Sequence, residues 1–235
     1  MTQPIRILLT GASGRMGGEV RKALGGHPRA VLAGAYAREA RPEQGIAAWS
    51  SLGAAPDFDV LLDFSRPEAL PACLALCESR GRALVTGTTG FGDDARALLE
   101  RAAGRIPVLA AANFSIGVAV LESLAERAAA ALHGWDCDIV ELHHRGKQDT
   151  PSGTALALGA SVRAGAAGTE PRYASLRAGD VVGEHTVQFA SRGERIELVH
   201  RATDRGIFAR GAIEAALRLA GKPPGRHRLA GLFEA

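Results

Sequence analysis

An apolar run, Ile5 to Thr10, passes without a break into Gly11-Ala12-Ser13-Gly14-Arg15-Met16-Gly17, and Arg15 to Leu24 then carries helical spacing up to Gly25. Strand, glycine turn and helix in this order open a dinucleotide-binding (Rossmann-type) unit, because the glycines let the backbone approach a pyrophosphate at the helix N-terminus. The glycines at 11, 14 and 17 depart from the usual G-x-G-x-x-G in having Ser13 at the second small position. Ala30 to Tyr36 reads as the second strand, whose end ordinarily carries an acid for the adenosine ribose. Here the chain reads Ala37-Arg38-Glu39. Without the acid a 2′-phosphate is not repelled, and Arg38 offers it a cation, so NADPH is expected to be accepted and favoured over NADH. The alternative is that Glu39 does the acid's work after a small loop shift.

Ala40 to Asp59 contains Pro42, Gly45, Gly53 and Pro56 and reads as connecting structure. Val60 to Phe64, Ala83 to Thr86 and Val108 to Ala112 read as further strands, with helices over Pro67 to Arg80 and Asp93 to Ala103. Strands alternating with helices predict an α/β fold with a doubly wound parallel sheet. The turn Gly87-Thr88-Thr89-Gly90 has the small and hydroxyl residues that suit a cofactor crevice at a strand's carboxyl end. Beyond a helix from Gly117 to about Leu132 the pattern changes. Asp138 to Leu142, Tyr173 to Arg177, Glu184 to Ser191 and Arg195 to Arg201 predict a second, α+β domain on a mixed or antiparallel sheet, with a helix over Ala155 to Ala166. Such a sheet with few covering helices leaves an apolar face for helices or another subunit to bury, which favours an oligomer. Arg210 to Ala220 reads as a closing helix that returns to the first domain. The expected boundaries are 1–113 with 205–235 for the dinucleotide domain, and 114–204 for a substrate-binding and oligomerisation domain.

Within that second part the stretch Glu141-Leu-His-His-Arg-Gly-Lys-Gln-Asp-Thr-Pro-Ser-Gly-Thr-Ala155 holds the densest chemistry. Successive side chains on a strand face opposite ways, so His143 and His144 mark a strand leaving its sheet. Ser152, Gly153 and Thr154 fall where a helix begins, and its unpaired N–H groups suit a carboxylate, with Lys147 as an added charge. Imidazole and ammonium beside such an anion can move a proton. The blander reading is a mobile charged loop. Of 28 Lys and Arg residues only Lys22, Lys147 and Lys222 are lysines. A lysine retained between histidines fits a group whose proton is movable.

Composition excludes several alternatives. At 235 residues and 46% hydrophobic the chain can bury a full core. Cys73, Cys77 and Cys137 are odd in number and not at zinc spacing, which fits buried thiols in a reducing, cytoplasmic compartment. No leader and no run of apolar residues long enough for a span is expected. A net charge of +3 with 5% aromatics argues against nucleic-acid binding. No third ligand accompanies His143 and His144, so no metal is expected.

Taken together, these stretches resemble the 4-hydroxy-tetrahydrodipicolinate (dihydrodipicolinate) reductase family of diaminopimelate and lysine biosynthesis. The resemblance rests on the Gly11–Gly17 turn, Asp63-Phe64-Ser65-Arg66-Pro67, Gly87-Thr88-Thr89-Gly90-Phe91, Ala112-Asn113-Phe114-Ser115, the Glu141–Ala155 run and Arg177-Ala178-Gly179-Asp180-Val181-Val182-Gly183-Glu184-His185. It implies a homotetrameric NAD(P)H-dependent oxidoreductase acting on a small cyclic dicarboxylate. On that basis Gly11, Ser13, Gly14, Arg15, Met16 and Gly17 hold the pyrophosphate and Arg38 the adenosine ribose or its phosphate. Asp63, Phe64, Gly87, Thr88, Thr89, Ala112, Asn113 and Phe114 complete the cofactor site. His143 is implied as proton donor with Lys147 assisting, and His144, Ser152, Gly153 and Thr154 as substrate-binding. Ala37 departs from the family's usual acid, and the segments 40–56 and 166–172 look short. A regulator that has lost catalysis would need damage in Glu141–Ala155, and none is seen there; a metal hydrolase would need more ligands. A homoserine or semialdehyde dehydrogenase would account for the first domain alone.

Overall fold

The computed structural model describes residues 3–233 of the chain. The chain divides into two compact units, Met1–Phe114 with Phe208–Ala235, and Ser115–Ile207.

In the first unit the strands are β1 (Ile5–Thr10), β2 (Ala30–Ala37), β3 (Ala47–Ala48), β4 (Val60–Asp63), β5 (Ala83–Thr86) and β6 (Pro107–Ala110), with β11 (Gly225–His227) near the end of the chain. They pair in the order β11-β6-β5-β4-β1-β2-β3, and every pairing is parallel. Parallel strands need both faces covered, and their sequences are accordingly near-continuous apolar runs. On one face Ile7, Leu9, Leu62, Val85 and Leu109 pack with Val20 and Leu24 of α1 (Arg15–Leu24) and Ala212, Ile213 and Leu219 of α6 (Gly206–Leu219). On the other, Leu8, Leu61, Leu84 and Val108 pack with Leu70, Cys73 and Cys77 of α2 (Leu70–Arg80) and Leu99 of α3 (Asp93–Ala103). This is the expected doubly wound α/β sheet. Its chain order reverses between β1 and β4, where open sheets of this kind form a crevice at their carboxyl ends.

Local chemistry sets the helix ends. Asp93 and Asp94 complement the positive end of α3, and Gly81 takes the left-handed conformation, φ 59°, that closes α2. Two strands lie outside the sequence reading. β3 falls within the segment expected to be connecting structure, and β11 is three polar residues too few to show a period. Both are added at sheet edges by pairing with a strand already in place. The sixth strand ends at Ala110 instead of Ala112, because its ladder to β5 stops at Thr86↔Ala110. The closing helix starts at Gly206, ahead of Arg210, with Asp204 Oδ1 accepting from the Gly206 N–H at 2.9 Å.

The second unit is a mixed sheet of β7 (Asp136–His143), β8 (Arg172–Arg177), β9 (Gly183–Ser191) and β10 (Glu194–Ala202), in the order β10-β9-β7-β8. β7 runs parallel to β8 and antiparallel to β9. One face packs Cys137, Ile139, Val187 and Phe189 against Leu121 and Ala125 of α4 (Ile116–Ala131) and Leu158 and Val162 of α5 (Gly153–Gly165). Ser115 and Ser152 cap these helices, their hydroxyls accepting from the N–H groups of Val118 and Ala155. The opposite face carries Ala174 and Leu176 beside Val140 and Leu142, and Leu176 is 55% exposed.

The adjoining ends of β1, β4 and β5 are locked by one acid. Thr10, Asp63 and Thr86 lie side by side in register. The wholly buried Asp63 carboxylate accepts from Thr10 Oγ1 at 2.7 Å, from Thr86 Oγ1 and Thr88 Oγ1 at 2.8 Å each, and from the Ser65 hydroxyl and N–H. An amide nitrogen cannot accept, so in place of one carboxylate oxygen it would leave buried hydroxyls of the cluster without their acceptor. Asp63→Asn is therefore expected to lower the unfolding free energy by at least about 2 kcal/mol, read by urea denaturation; a change within about 0.5 kcal/mol would contradict this role.

Candidate active site

The first unit supplies a dinucleotide cradle. Gly11 has φ +73°, and a Cβ there would lie 2.1 Å from the Phe64 carbonyl oxygen. A Cβ at Gly17 would lie 2.3 Å from the Gly11 carbonyl oxygen, so both positions exclude a side chain. No side chain caps α1 and no acid sits in its first turn. Its first N–H groups, from Arg15, Met16 and Gly17, therefore remain open to an anion, which is the condition a pyrophosphate needs. A cavity of about 680 Å³ adjoins this turn, lined by Gly11, Ser13, Gly14, Ala37, Arg38, Glu39, Arg41 and Phe64 among others, so the acid weighed as a substitute at the ribose, Glu39, lines it together with the arginines. Its size and its arginines fit the adenosine half of a nicotinamide nucleotide.

The other expected cofactor residues fall at the same ends of the strands. Gly87 sits where a Cβ would meet the Phe64 ring at 2.1 Å, and Phe64 packs edge-to-face on Phe114 at 5.7 Å. Thr89 and Ala112 are exposed and Asn113 is half-buried. The side chains of Asp63 and Thr88 are spent inside the protein on each other, so they shape the turns beside the crevice from within.

The second unit supplies the titratable cluster. β7 ends at His143, and His144 lies beyond the strand. Glu141 and His143, two apart on the strand, face the same way, into the side covered by α4 and α5. There Glu141 Oε2 bonds to His143 Nδ1, and Arg177 grips both carboxylate oxygens, Nη1 to Oε2 at 2.9 Å and Nη2 to Oε1 at 2.8 Å. Burial pushes the Glu141 carboxyl up, but hydrogen bonds from Arg177, Ser175 and His143 outweigh it and hold it at about 2. The carboxylate is thus an acceptor at neutral pH. His143 Nδ1 must carry the hydrogen, leaving Nε2 as the nitrogen that can exchange a proton. A Cβ at Gly183 would lie 3.0 Å from that Nε2, so the glycine keeps its flank clear.

Around this pair stand the remaining expected residues. Lys147 Nζ lies 2.8 Å from Asp149 Oδ1, and that lysine, with the Gly153 N–H, holds the Asp149 carboxyl below its ordinary range. The anion-binding groups expected for a substrate carboxylate thus meet a carboxylate of the chain itself. Ser152 is 1% exposed, and its hydroxyl, besides capping α5, lies 3.2 Å from His185 Nε2. Gly153 is exposed and Thr154 half-buried at the start of α5. His185 packs edge-to-face on His143, their ring centroids 5.1 Å apart. Burial pushes His143 down from its ordinary value, and the charges of Lys147 and Arg177 add to that against the opposing pull of Glu141. His185 is pushed down to about 4, chiefly by burial and then by His143. Among the described residues no group of three or more His, Cys, Asp and Glu side chains is arranged to hold a metal ion.

Family models for the two halves of one protein match the chain in tandem: dihydrodipicolinate reductase, N-terminus, over residues 5–114, and dihydrodipicolinate reductase, C-terminus, over residues 117–232. A 4-hydroxy-tetrahydrodipicolinate reductase of Stenotrophomonas maltophilia is 55% identical over 98% of this chain and 98% of its own. One from Xanthomonas campestris pv. campestris is 53% identical over 97% of both. The chain belongs to the dihydrodipicolinate reductase family. It is accordingly a pyridine-nucleotide-dependent oxidoreductase. Among solved structures, a dipicolinate-bound dihydrodipicolinate reductase from Paenisporosarcina sp. TG-14 matches its fold with a TM-score of 0.78 at 21% identity, covering 97% of this chain and 99% of that one. A diaminopimelate dehydrogenase of C. glutamicum matches with 0.62 at 15% identity, covering 97% and 94%.

Sequence reasoning assigned no role to Glu141, Arg177, Gly183 or His185, although all four lie in stretches that carried the family resemblance. Glu141 was within reach, since residues two apart on a strand share a face. Arg177, Gly183 and His185 join the cluster only through the register of β8 and β9 on β7.

The pKa directions fix a pH dependence of stability. His185 is held below its unfolded value of 6.5, so the unfolded chain takes up its proton first and stability falls as pH drops from about 6.5 to 4. Glu141, held at about 2 against 4.5 unfolded, adds a further loss as pH drops through that lower range. In urea unfolding at pH 7 and 4.5, His185→Asn is expected to flatten the slope. An unchanged slope would show that His185 does not titrate in this way.

Proposed function

We propose that this chain reduces 4-hydroxy-tetrahydrodipicolinate to tetrahydrodipicolinate in diaminopimelate and lysine biosynthesis, using NADPH or NADH and a proton from His143. The observation that carries the reading is His143 at the end of β7, tied through Nδ1 to an ionised Glu141, in a chain 55% identical to a reductase of that name.

The nucleotide, when bound, supplies the hydride. Gly11, Ser13, Gly14, Arg15, Met16 and Gly17 hold its pyrophosphate on the open N–H groups of α1, and Arg38 its adenosine ribose or 2′-phosphate. Phe64, Gly87, Thr88, Thr89, Ala112, Asn113 and Phe114 shape the rest of that crevice, with Asp63 setting the turns. With Ala37 in the acid's place, Arg38 and Arg41 line the same cavity as Glu39, and two cations against that one acid make NADPH the favoured form.

After loss of water the ring substrate is a conjugated imine, and adding hydride leaves an electron-rich enamine that takes a proton. His143 Nε2 gives that proton. The ligand-free imidazole is held neutral, and the arrival of a dicarboxylate favours its charged form. Lys147 exchanges Asp149 for a substrate carboxylate, and the N-terminus of α5 at Gly153 and Thr154, with His144, receives the carboxylates. Ser152 keeps that helix end in shape. The first unit is thus the dinucleotide domain. The second binds substrate and, through the outer sheet face carrying Leu176, assembles a homotetramer. The three free buried cysteines fit a cytoplasmic enzyme.

Cofactor absorbance tests this reading, with the substrate generated in place from aspartate semialdehyde and pyruvate and the two nucleotides run side by side. Substrate-dependent oxidation is expected, faster with NADPH. His143→Gln and Lys147→Ala should each lower kcat by about a hundredfold or more while nucleotide binding survives. Unchanged turnover in either variant would contradict its role. Arg38→Ala should raise KM for NADPH and leave KM for NADH nearly as it was; equal effects on both would remove the 2′-phosphate assignment.

A further inference from the structure

The groups with assigned chemistry in the second unit, His143 and Lys147, sit on different pieces of backbone, one ending a strand and the other in the loop after it. Arg177 touches both pieces. Besides gripping Glu141, its Nη2 donates to the Asp149 carbonyl oxygen at 2.7 Å and to Thr150 Oγ1 at 3.1 Å, and its Nε to the Lys147 carbonyl oxygen at 3.3 Å. Only a planar guanidinium can meet a carboxylate through two bonds and still present donors to a neighbouring loop. The Lys147 backbone is further pinned by its N–H donating to the His144 carbonyl oxygen at 3.1 Å.

We propose that Glu141 and Arg177 form a positioning pair for the reduction: Glu141 fixes which nitrogen of His143 exchanges the proton, and Arg177 ties the loop bearing Lys147 to that same carboxylate. The proposal rests on the reductase reading for what the two positioned groups do. Glu141 is 1% exposed, which leaves almost no surface to offer a ligand. Its effect passes through His143 Nδ1, as a carboxylate behind an imidazole selects one tautomer and favours the charged ring. The other charged and titratable groups near this imidazole are Lys147 on the loop, Arg177 on β8 and His185 on β9, with Asp149 beside Lys147. Among the described residues Glu141 is the one carboxylate bonded to the ring, so its removal leaves the cations unopposed there.

Glu141→Gln keeps the size and removes the charge. Its expected result is a kcat lowered about tenfold or more, with KM for the nucleotide unchanged. The alkaline limb of kcat/KM should also move to lower pH by about one unit. Arg177→Lys keeps a charge without the fork and should raise KM for the dicarboxylate, because Lys147 is no longer held in register, while leaving the limb closer to its original place than Glu141→Gln does. A limb that stays where it was in Glu141→Gln, with activity lost only in proportion to unfolded protein, would overturn the proposal and leave the pair a merely structural one. Modification of His143 by diethyl pyrocarbonate against pH, taken as the difference from His143→Gln, reads the same shift without turnover. If the wild-type protein oxidises no cofactor, the reductase reading fails by itself. The modification profile then still decides the pair: a downward shift in Glu141→Gln upholds the Glu141 half, and no shift refutes it.

Discussion

A carboxylate taken out of water must be met by hydrogen bonds and opposite charge or it will not stay ionised, and Glu141 is the place where the second unit meets that demand. Its two oxygens are taken by the fork of Arg177 and the ring of His143, and the donors come from the two adjacent parallel strands β7 and β8. Register between those strands is thus set by apolar burial and by the need to pair this charge. The chemistry at the end of β7 follows. An ionised Glu141 leaves His143 one nitrogen free for exchange, and Arg177, already committed to the acid, has donors left for the loop that carries Lys147.

The first unit uses a buried acid differently. Asp63 also ends a strand and is also wholly enclosed, but hydroxyls from the neighbouring strand ends and the following turns meet it. Its donors are neutral, the hydroxyls of Thr10, Ser65, Thr86 and Thr88 and the N–H of Ser65. Beside it α1 starts without a side-chain cap, as α2 and α3 do, so the N–H groups of its first turn are not spent on one. In α4 and α5, Ser115 and Ser152 do cap, and each takes one N–H of its first turn, that of Val118 and that of Ala155.

The sheet of the first unit was legible from its apolar runs, because a strand buried on both faces has nowhere to hide its composition. The glycine turn was legible for a related reason: Gly11 and Gly17 stand where a Cβ has no room, so the residue type is dictated by packing. Edge strands β3 and β11 left no such mark, since two or three residues paired on one side need no pattern. In the cluster, His143 and Lys147 announced themselves by residue type. Arg177 and His185 did not, because an arginine and a histidine on separate strands become neighbours only once register is known. Lys147 was expected to await an anion, and Asp149, two residues on, answers it within the chain, a local contact that side-chain chemistry alone does not rank above solvent.

The chemistry of the site depends on Glu141 holding His143 as the Nδ1–H tautomer. The imidazole ¹⁵N resonances of the ligand-free protein at about pH 7.5, assigned by comparison with His143→Gln, report it directly. A protonated Nδ1 with an unprotonated Nε2 is the predicted result. A protonated Nε2 with a bare Nδ1 would contradict it, since an ionised Glu141 cannot share a hydrogen bond with a nitrogen that has no hydrogen to give.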